Sequence, residues 1–281
     1  MRVADAMTPR SEVVTVELPG RRDDVLTYLQ ERGFSSVPVV KETADGEEYR
    51  GLVSRGDLID QPDEDQLAML LREVPTTTGD ADLREVARLM REEDARRIPV
   101  VDGTLEGIIT VTDVVRAIAN GEGDGDRPVG DLATREVNTT WAGTPLPVAE
   151  RGIGYAEVPY AVVLDDGADM CGILTEVDVI DVARVVEGED DTGESIADED
   201  DDWMWEGIKA VGNRYFPTRN VEIPAEPVRE FMSADVLTVS RHKTAAEAAR
   251  LMLREDVEQV PLTSGGSLAG IVRDVDLLEA V

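Results

Sequence analysis

Four short segments of this chain share one pattern. They are Gly51-Leu52-Val53-Ser54-Arg55-Gly56-Asp57, Gly107-Ile108-Ile109-Thr110-Val111-Thr112-Asp113, Gly172-Ile173-Leu174-Thr175-Glu176-Val177-Asp178 and Gly270-Ile271-Val272-Arg273-Asp274-Val275-Asp276. Each runs glycine, two aliphatics, a polar residue, two further residues and an aspartate, and the polar residue carries a hydroxyl in three of the four. A pattern that recurs in this way implies repeated structural units, and it restricts the fold more than any single residue does.

Glycine followed by two aliphatics predicts the start of a short buried strand. Ser54, Thr110 and Thr175 then stand at its end. Asp57, Asp113, Asp178 and Asp276 stand near the start of a helix, where Leu58-Ile59, Val114-Val115, Val179-Ile180 and Leu277-Leu278 open an apolar face. A strand-to-helix junction offers free backbone N–H groups and the positive end of a helix dipole, which suit a phosphate. A nearby aspartate can accept hydrogen bonds from a ribose diol. The same residues can instead simply cap the helix. One copy would favour the cap; four copies at repeat spacing favour a ligand motif.

Upstream of the motif lie Val37 to Val40, Ile98 to Asp102, Tyr160 to Asp165 and Val260 to Leu262, which predict a second strand. Before two of these, Leu83, Val86, Ala87, Leu89 and Met90 fall on one helical face, as do Ala245, Ala248, Ala249, Leu251 and Met252. Two repeats open with similar lead-ins, Val3 to Thr8 and Val228 to Ser233, ahead of Val14-Thr15-Val16 and Leu237-Thr238-Val239. The predicted unit is strand, helix, strand, strand, helix, an α/β (α+β) fold.

On these motifs the chain resembles the cystathionine-β-synthase (CBS) domain family over nearly its whole length, as four tandem copies. The resemblance implies β-α-β-β-α repeats that pair through their sheets into two Bateman modules. It implies clefts for adenosine-containing ligands such as AMP, ADP, ATP or S-adenosylmethionine. The motif aspartate would hold the ribose, with the preceding hydroxyl near ribose and phosphate. The residues so implied are Ser54 with Asp57, Thr110 with Asp113, Thr175 with Asp178, and Asp276 alone. The four repeats are also in line with a resemblance to the γ subunit of AMP-activated protein kinase. The implied role is a non-enzymatic regulatory energy sensor that binds AMP, ADP or ATP, needs no cofactor, and signals to a regulated protein, with homodimer formation open. Two other readings stand beside it: an interaction scaffold with degenerate clefts, and a sensor of S-adenosylmethionine or methylthioadenosine.

Two repeats depart from the pattern. The fourth has Arg273 in place of a hydroxyl, which could grip phosphate or fill the cleft. In the third, Pro145, Pro147, Gly152 and Gly154 fall inside the expected first helix, where Gly and Pro cost roughly 1 and 3 kcal/mol against Ala. It also has Ala161 where its siblings have Pro. A short or irregular helix is expected there, and the first module is the better ligand seat.

The motif aspartates are 56, 65 and 98 positions apart. The boundaries read from this are a first module at 1–124, with repeats at about 1–62 and 63–124. A second module follows at 127–281, with repeats at about 127–187 and 225–281 and an insertion at 187–224. The Gly-rich stretch Gly121 to Asp126 separates the two. Within the insertion, Glu187 to Asp202 holds ten acids in sixteen residues and no base, which predicts a solvated linker. Trp203 to Pro224 then brings Trp203, Met204, Trp205, Ile208, Val211, Tyr215 and Phe216 with Lys209, Arg214 and Arg219. That segment reads as an amphipathic element that packs on the modules or docks a partner.

The formal net charge is −32, and only Lys41, Lys209 and Lys243 among the 28 bases are lysines. An acid-rich, Lys-poor surface is expected of a halophilic, archaeal, cytoplasmic protein, because concentrated salt screens the self-repulsion. The same charge argues against nucleic-acid binding, which needs a basic footprint. No apolar run approaches a membrane span and no signal peptide is visible. With Cys171 as the one cysteine and His242 as the one histidine, neither an internal disulfide nor a multi-His metal site can form. Cys171 reads as a small buried residue. His242, just before a helix, reads as a loop residue or a phosphate contact. No catalytic residues are assigned.

Overall fold

The computed structural model describes residues 1–31, 36–44, 46–54, 57–58, 64–182, 184–186, 208–211, 214–217 and 220–281. The fold is mixed α/β and repeats one plan. The first repeat carries β1 (Thr8–Pro9), β2 (Val16–Glu17), α1 (Arg22–Glu31), β3 (Ser36–Thr43) and β4 (Gly46–Ser54). The second carries α2 (Leu83–Glu92), β5 (Arg97–Asp102), β6 (Thr104–Thr110) and α3 (Val111–Ala119). The third carries β7 (Thr139–Trp141), α4 (Leu146–Ala156), β8 (Tyr160–Leu164), β9 (Met170–Thr175) and α5 (Glu176–Val182). Four short strands follow, β10 (Arg184–Val186), β11 (Ile208–Val211), β12 (Arg214–Pro217) and β13 (Asn220–Glu222). The fourth repeat closes the chain with β14 (Val239–Ser240), α6 (Ala245–Glu255), β15 (Gln259–Ser264), β16 (Ser267–Arg273) and α7 (Asp274–Leu277).

The sheets β2-β3-β4, β7-β8-β9 and β14-β15-β16 share one order. The first pair in each is parallel, as in Val16↔Val39, Thr139↔Val162 and Val239↔Leu262. The helix between those strands makes the crossover that a parallel pair needs. The second repeat's sheet differs: its order is β1-β6-β5, and β1 comes from the first repeat, with Thr8↔Ile108 and Pro9↔Gly107 in antiparallel register.

The chain divides into two compact units. The larger takes in Met1–Thr134, Val239–Thr263 and Gly270–Val281. In it, α3 lies along α6, and α2 meets the closing turn Leu278–Ala280. One apolar core results, built from Val86, Met90, Val114 and Ile118 of the second repeat and Ala245, Ala248, Met252 and Leu277 of the fourth. The alanine-rich face of α6 allows close approach. Its N-terminus is fixed by a capping box in which Thr244 and Glu247 each hold the other's backbone N–H. The first repeat keeps its own core of Val16, Val25, Val37, Val39, Val53, Leu58, Leu67 and Leu70. The smaller unit takes in Arg135–Thr238 and Ser264–Ala269. Its core is Leu146, Ala149, Ile153, Ala161, Val163, Leu174, Val179 and Val228.

Leu67 and Val228 belong to the lead-in of the following repeat. Four 3-10 turns, Val3–Asp5, Leu67–Met69, Val129–Asp131 and Val228–Glu230, stand at equivalent places. The first residue of each is fully buried, at 0% exposure. Val3 enters the core containing the second repeat's helices, and Leu67 enters the first repeat's core. Val129 donates its N–H to the Lys243 carbonyl of the fourth repeat at 2.7 Å. Val228 enters the third repeat's core. After each turn the chain bridges the strand that bears the other repeat's motif: Thr8↔Ile108, Arg72↔Leu52, Thr134↔Ile271 and Ser233↔Ile173. The first and second repeats thus exchange lead-ins, and so do the third and fourth.

The expectation of a short helix in the third repeat is overturned. α4 spans 11 residues, as α6 does. Pro145 is its N-cap and Pro147 lies in the first turn, where a missing N–H breaks no intrahelical bond. Burial of Leu146, Ala149 and Ile153 offsets the roughly 1 kcal/mol cost of each glycine. The Gly121–Asp126 stretch is also pinned: Asp124 N–H donates to the Ala280 carbonyl at 2.7 Å, and a Cβ on Gly123 would collide with Ala280 and Val281. Of the insertion, β10 pairs with β13 and β11 with β12, both antiparallel. The acidic run Glu187 to Asp202, together with Trp203 and Trp205, lies outside the described residues.

Candidate ligand site at the strand-to-helix junctions

Ser54, Thr110 and Thr175 each end a strand, paired with the first residue of the strand before: Ser36↔Ser54, Arg97↔Thr110 and Tyr160↔Thr175. In each case the aspartate three residues on folds back over the strand end. Asp113 Oδ2 accepts from the Thr110 N–H at 2.9 Å and from Thr110 Oγ1 at 2.7 Å, and Asp113 N–H donates to Thr110 Oγ1 at 3.3 Å. Asp57 Oδ2 accepts from Ser54 N–H at 2.8 Å and Ser54 Oγ at 2.6 Å. Asp178 Oδ2 accepts from Thr175 N–H at 2.8 Å and Thr175 Oγ1 at 2.7 Å. The motif is therefore a capping box, and the cap reading of these residues holds. It consumes one carboxylate oxygen and leaves Oδ1.

What meets Oδ1 differs from repeat to repeat. Among the described residues, no group bonds Oδ1 of Asp57 or Asp178. Asp113, itself 6% exposed, receives Arg116 Nη1 on Oδ1 at 2.7 Å, from an arginine that is largely in solvent. In the fourth repeat Arg273 turns back on Asp276, with Nη2 donating to Oδ1 at 3.0 Å and Nε to Oδ2 at 3.3 Å. Both oxygens of Asp276 are held.

Three of the four motif glycines, Gly51, Gly107 and Gly172, have a packing cause. A Cβ on Gly107 would collide with the Thr8 carbonyl oxygen and stand 2.9 Å from Met7 Sδ. One on Gly172 would collide with Met232 Sδ. One on Gly51 would stand 3.1 Å from the Arg72 carbonyl oxygen. In every instance the obstacle is the lead-in supplied by the paired repeat.

Three polar groupings escape the sequence pattern. Arg10 clamps the first lead-in, donating Nε to Glu47 Oε1 at 2.7 Å, Nη2 to Glu47 Oε2 at 2.6 Å, and Nη2 to Thr15 Oγ1 at 3.0 Å. The hydrogen bond from Arg10 holds the Glu47 carboxyl below its ordinary pKa against the opposing effect of burial. Arg97 Nη1 reaches Ser36 Oγ, its own counterpart in the first repeat, at 3.1 Å. Arg96 forks onto Asp274 of the fourth repeat, with Nη1–Oδ1 at 3.1 Å and Nη2–Oδ2 at 2.6 Å, and also meets Glu258 Oε1 at 2.9 Å. Burial opposes the charge on Arg96, but these carboxylates outweigh it and raise the guanidinium above its ordinary pKa. No local spacing links residues 178 positions apart.

His242 is exposed in the turn before α6, and Cys171 is half-buried beside the third repeat's core. Burial pushes the Cys171 thiol up. Among the described residues, a cleft of about 480 Å³ is lined by Thr15, Val16, Glu17, Pro19, Asp24 and Tyr28. Another, of about 860 Å³, lies between α5 and the fourth lead-in. No motif aspartate is among their described lining residues. No described helix is long and apolar enough to cross a membrane.

The family model for the CBS domain matches residues 3–64, 68–120 and 228–281, more than half of the chain. The chain belongs to the CBS domain family. The third repeat lies outside the match and has the order strand, helix, strand, strand, helix. A Methanocaldococcus jannaschii protein of uncharacterized function is 26% identical over 99% of this chain, which spans 61% of that relative's length. The crystal structure of an uncharacterized conserved protein from Pyrococcus horikoshii superposes with a TM-score of 0.70 at 27% identity, covering 99% of both chains. A second Methanocaldococcus jannaschii protein, described as a candidate archaeal homologue of g-AMPK, gives a TM-score of 0.67 at 20% identity over 99% of both chains. At that identity it speaks to the fold alone.

Proposed function

We propose that the chain is a non-enzymatic sensor of adenine nucleotides. The reading pairs its repeats into modules at 1–124 and 127–281. The lead-in exchange supports this pairing, since each exchange joins the first repeat to the second or the third to the fourth. AMP, ADP or ATP occupies clefts beside the motif, with Asp57, Asp113 and Asp178 on the ribose and Ser54, Thr110 and Thr175 near ribose and phosphate. The observation that carries the reading is the recurring carboxylate with Oδ2 spent on the cap and Oδ1 turned elsewhere. A ribose diol needs an acceptor of this kind, held rigidly at a helix start. In this reading a ribose hydroxyl takes the place of Arg116 on Asp113 Oδ1. Binding then biases contacts between repeats and the surface shown to a regulated protein, in proportion to the ligand's preference for one state. The acid-rich surface suits concentrated cytoplasmic salt, as in a halophilic archaeon. His242 sits in an exposed turn and carries no phosphate role in this reading.

The test is a thermal-shift panel of the whole chain in concentrated KCl with AMP, ADP, ATP, S-adenosylmethionine and methylthioadenosine. A ligand at a hundred times its Kd adds about 2.7 kcal/mol per site. A shift with an adenine nucleotide is expected, lost in the Asp57→Asn/Asp113→Asn double variant. Asparagine keeps an oxygen for the cap, so that loss reports the ligand rather than the helix. A shift with S-adenosylmethionine or methylthioadenosine alone replaces the nucleotide. No shift with any of the five, in well-folded protein, leaves a scaffold.

A further inference from the structure

We infer that the fourth repeat's motif has become a clasp between the second and fourth repeats and no longer takes a ligand. The inference rests on the nucleotide reading of the other motifs. Two aspartates stand in this motif, Asp274 and Asp276, and an arginine holds each with two bonds. Arg273 stands where the siblings have Ser54, Thr110 and Thr175. Its guanidinium covers the carboxylate oxygen that a diol would use, and Asp276 is only 15% exposed beneath it. A planar guanidinium on a carboxylate is among the stronger hydrogen-bonded pairs, so a neutral sugar hydroxyl competes poorly for the same oxygens.

The neighbouring Asp274 is 6% exposed. It accepts the Arg96 fork and the Val275 N–H at 2.7 Å, which satisfies its buried charge. The equivalent position in the second repeat is Val111, buried in the core, so this repeat has no matching acid. Arg96 in turn sits beside the intact motif: its carbonyl accepts the Val111 N–H at 3.0 Å, at the start of the helix that bears Asp113. The clasp therefore runs from the fourth motif to the backbone at the start of the helix that bears the second one.

Calorimetric titration of the full chain with AMP and ATP tests this. Asp276→Asn should leave the number of sites and the Kd unchanged within about two-fold, whereas Asp57→Asn/Asp113→Asn removes sites. Arg273→Thr, which restores the siblings' hydroxyl, should add one site. Loss of a site in Asp276→Asn, or no added site in Arg273→Thr, overturns the inference. If the unaltered chain binds no nucleotide, the sensor reading fails by itself. The clasp is then decided by melting of Arg96→Met, Asp274→Asn and the double variant: shifts that do not add support it, and additive shifts overturn it.

Discussion

Leu52 and Arg72 exchange both of their backbone hydrogen bonds: Leu52 N–H donates to the Arg72 carbonyl at 3.1 Å, and Arg72 N–H donates to the Leu52 carbonyl at 2.9 Å. Through this bridge the second repeat's lead-in becomes part of the first repeat. Leu67, at the head of that lead-in, is fully buried in the first repeat's core. Leu67→Ala should cost about 2–5 kcal/mol, as other large-to-small core changes do. Hydrogen exchange should rise in β2, β3 and β4 while β5 and β6 stay protected. Loss of protection in β5 and β6 first would contradict the exchange.

Two glycines should respond with opposite sign. Gly107→Ala forces a methyl against the Thr8 carbonyl and Met7, where backbone must yield. A loss of about 1–3 kcal/mol is expected, the range of an overpacked core. Gly152 lies inside α4 with nothing within 4 Å of a built Cβ. Gly152→Ala should stabilise by about 0.5–1 kcal/mol through helix propensity. Thermal melts of the two variants give both signs in one experiment.

The Arg10–Glu47 clamp sets a pH dependence. Glu47 titrates below its ordinary value of 4.5 when folded. A carboxylate with a depressed folded pKa contributes stability above its unfolded pKa and loses it as pH falls through the folded one. The melting temperature of the unaltered chain should exceed that of Glu47→Gln at neutral pH. The gap should narrow as pH drops below 4.5. A gap that stays constant into acid would show that Glu47 acts by packing and not by charge.

Much of this was legible in the chain. The four motifs locate β4, β6, β9 and β16 and the helix starts after them, because strand, cap and apolar face are all local signals. The lead-ins at Val3 and Val228 are visible for the same reason. Those at Leu67 and Val129 are not: Leu67-Ala68-Met69-Leu70 has neither the acid nor the Met-Thr pair of Val3 to Thr8, and a three-residue turn has no periodicity to detect. The role of the motif glycines was hidden because the obstructing atoms belong to another repeat. The full length of α4 is not legible in composition, because the place of Pro147 within the helix decides its cost. The Arg96–Asp274 fork depends on tertiary packing, which no spacing announces.

The reciprocal lead-ins also impose parity. A repeat standing alone would present an empty socket where Leu67 or Val228 now sits, and would trail an apolar tail with nowhere to insert. Adding a third partner to a satisfied couple would recreate both defects at once. Chains built on this device grow by twos, and a cut that leaves an odd number should drive the orphan to borrow a tail from another molecule.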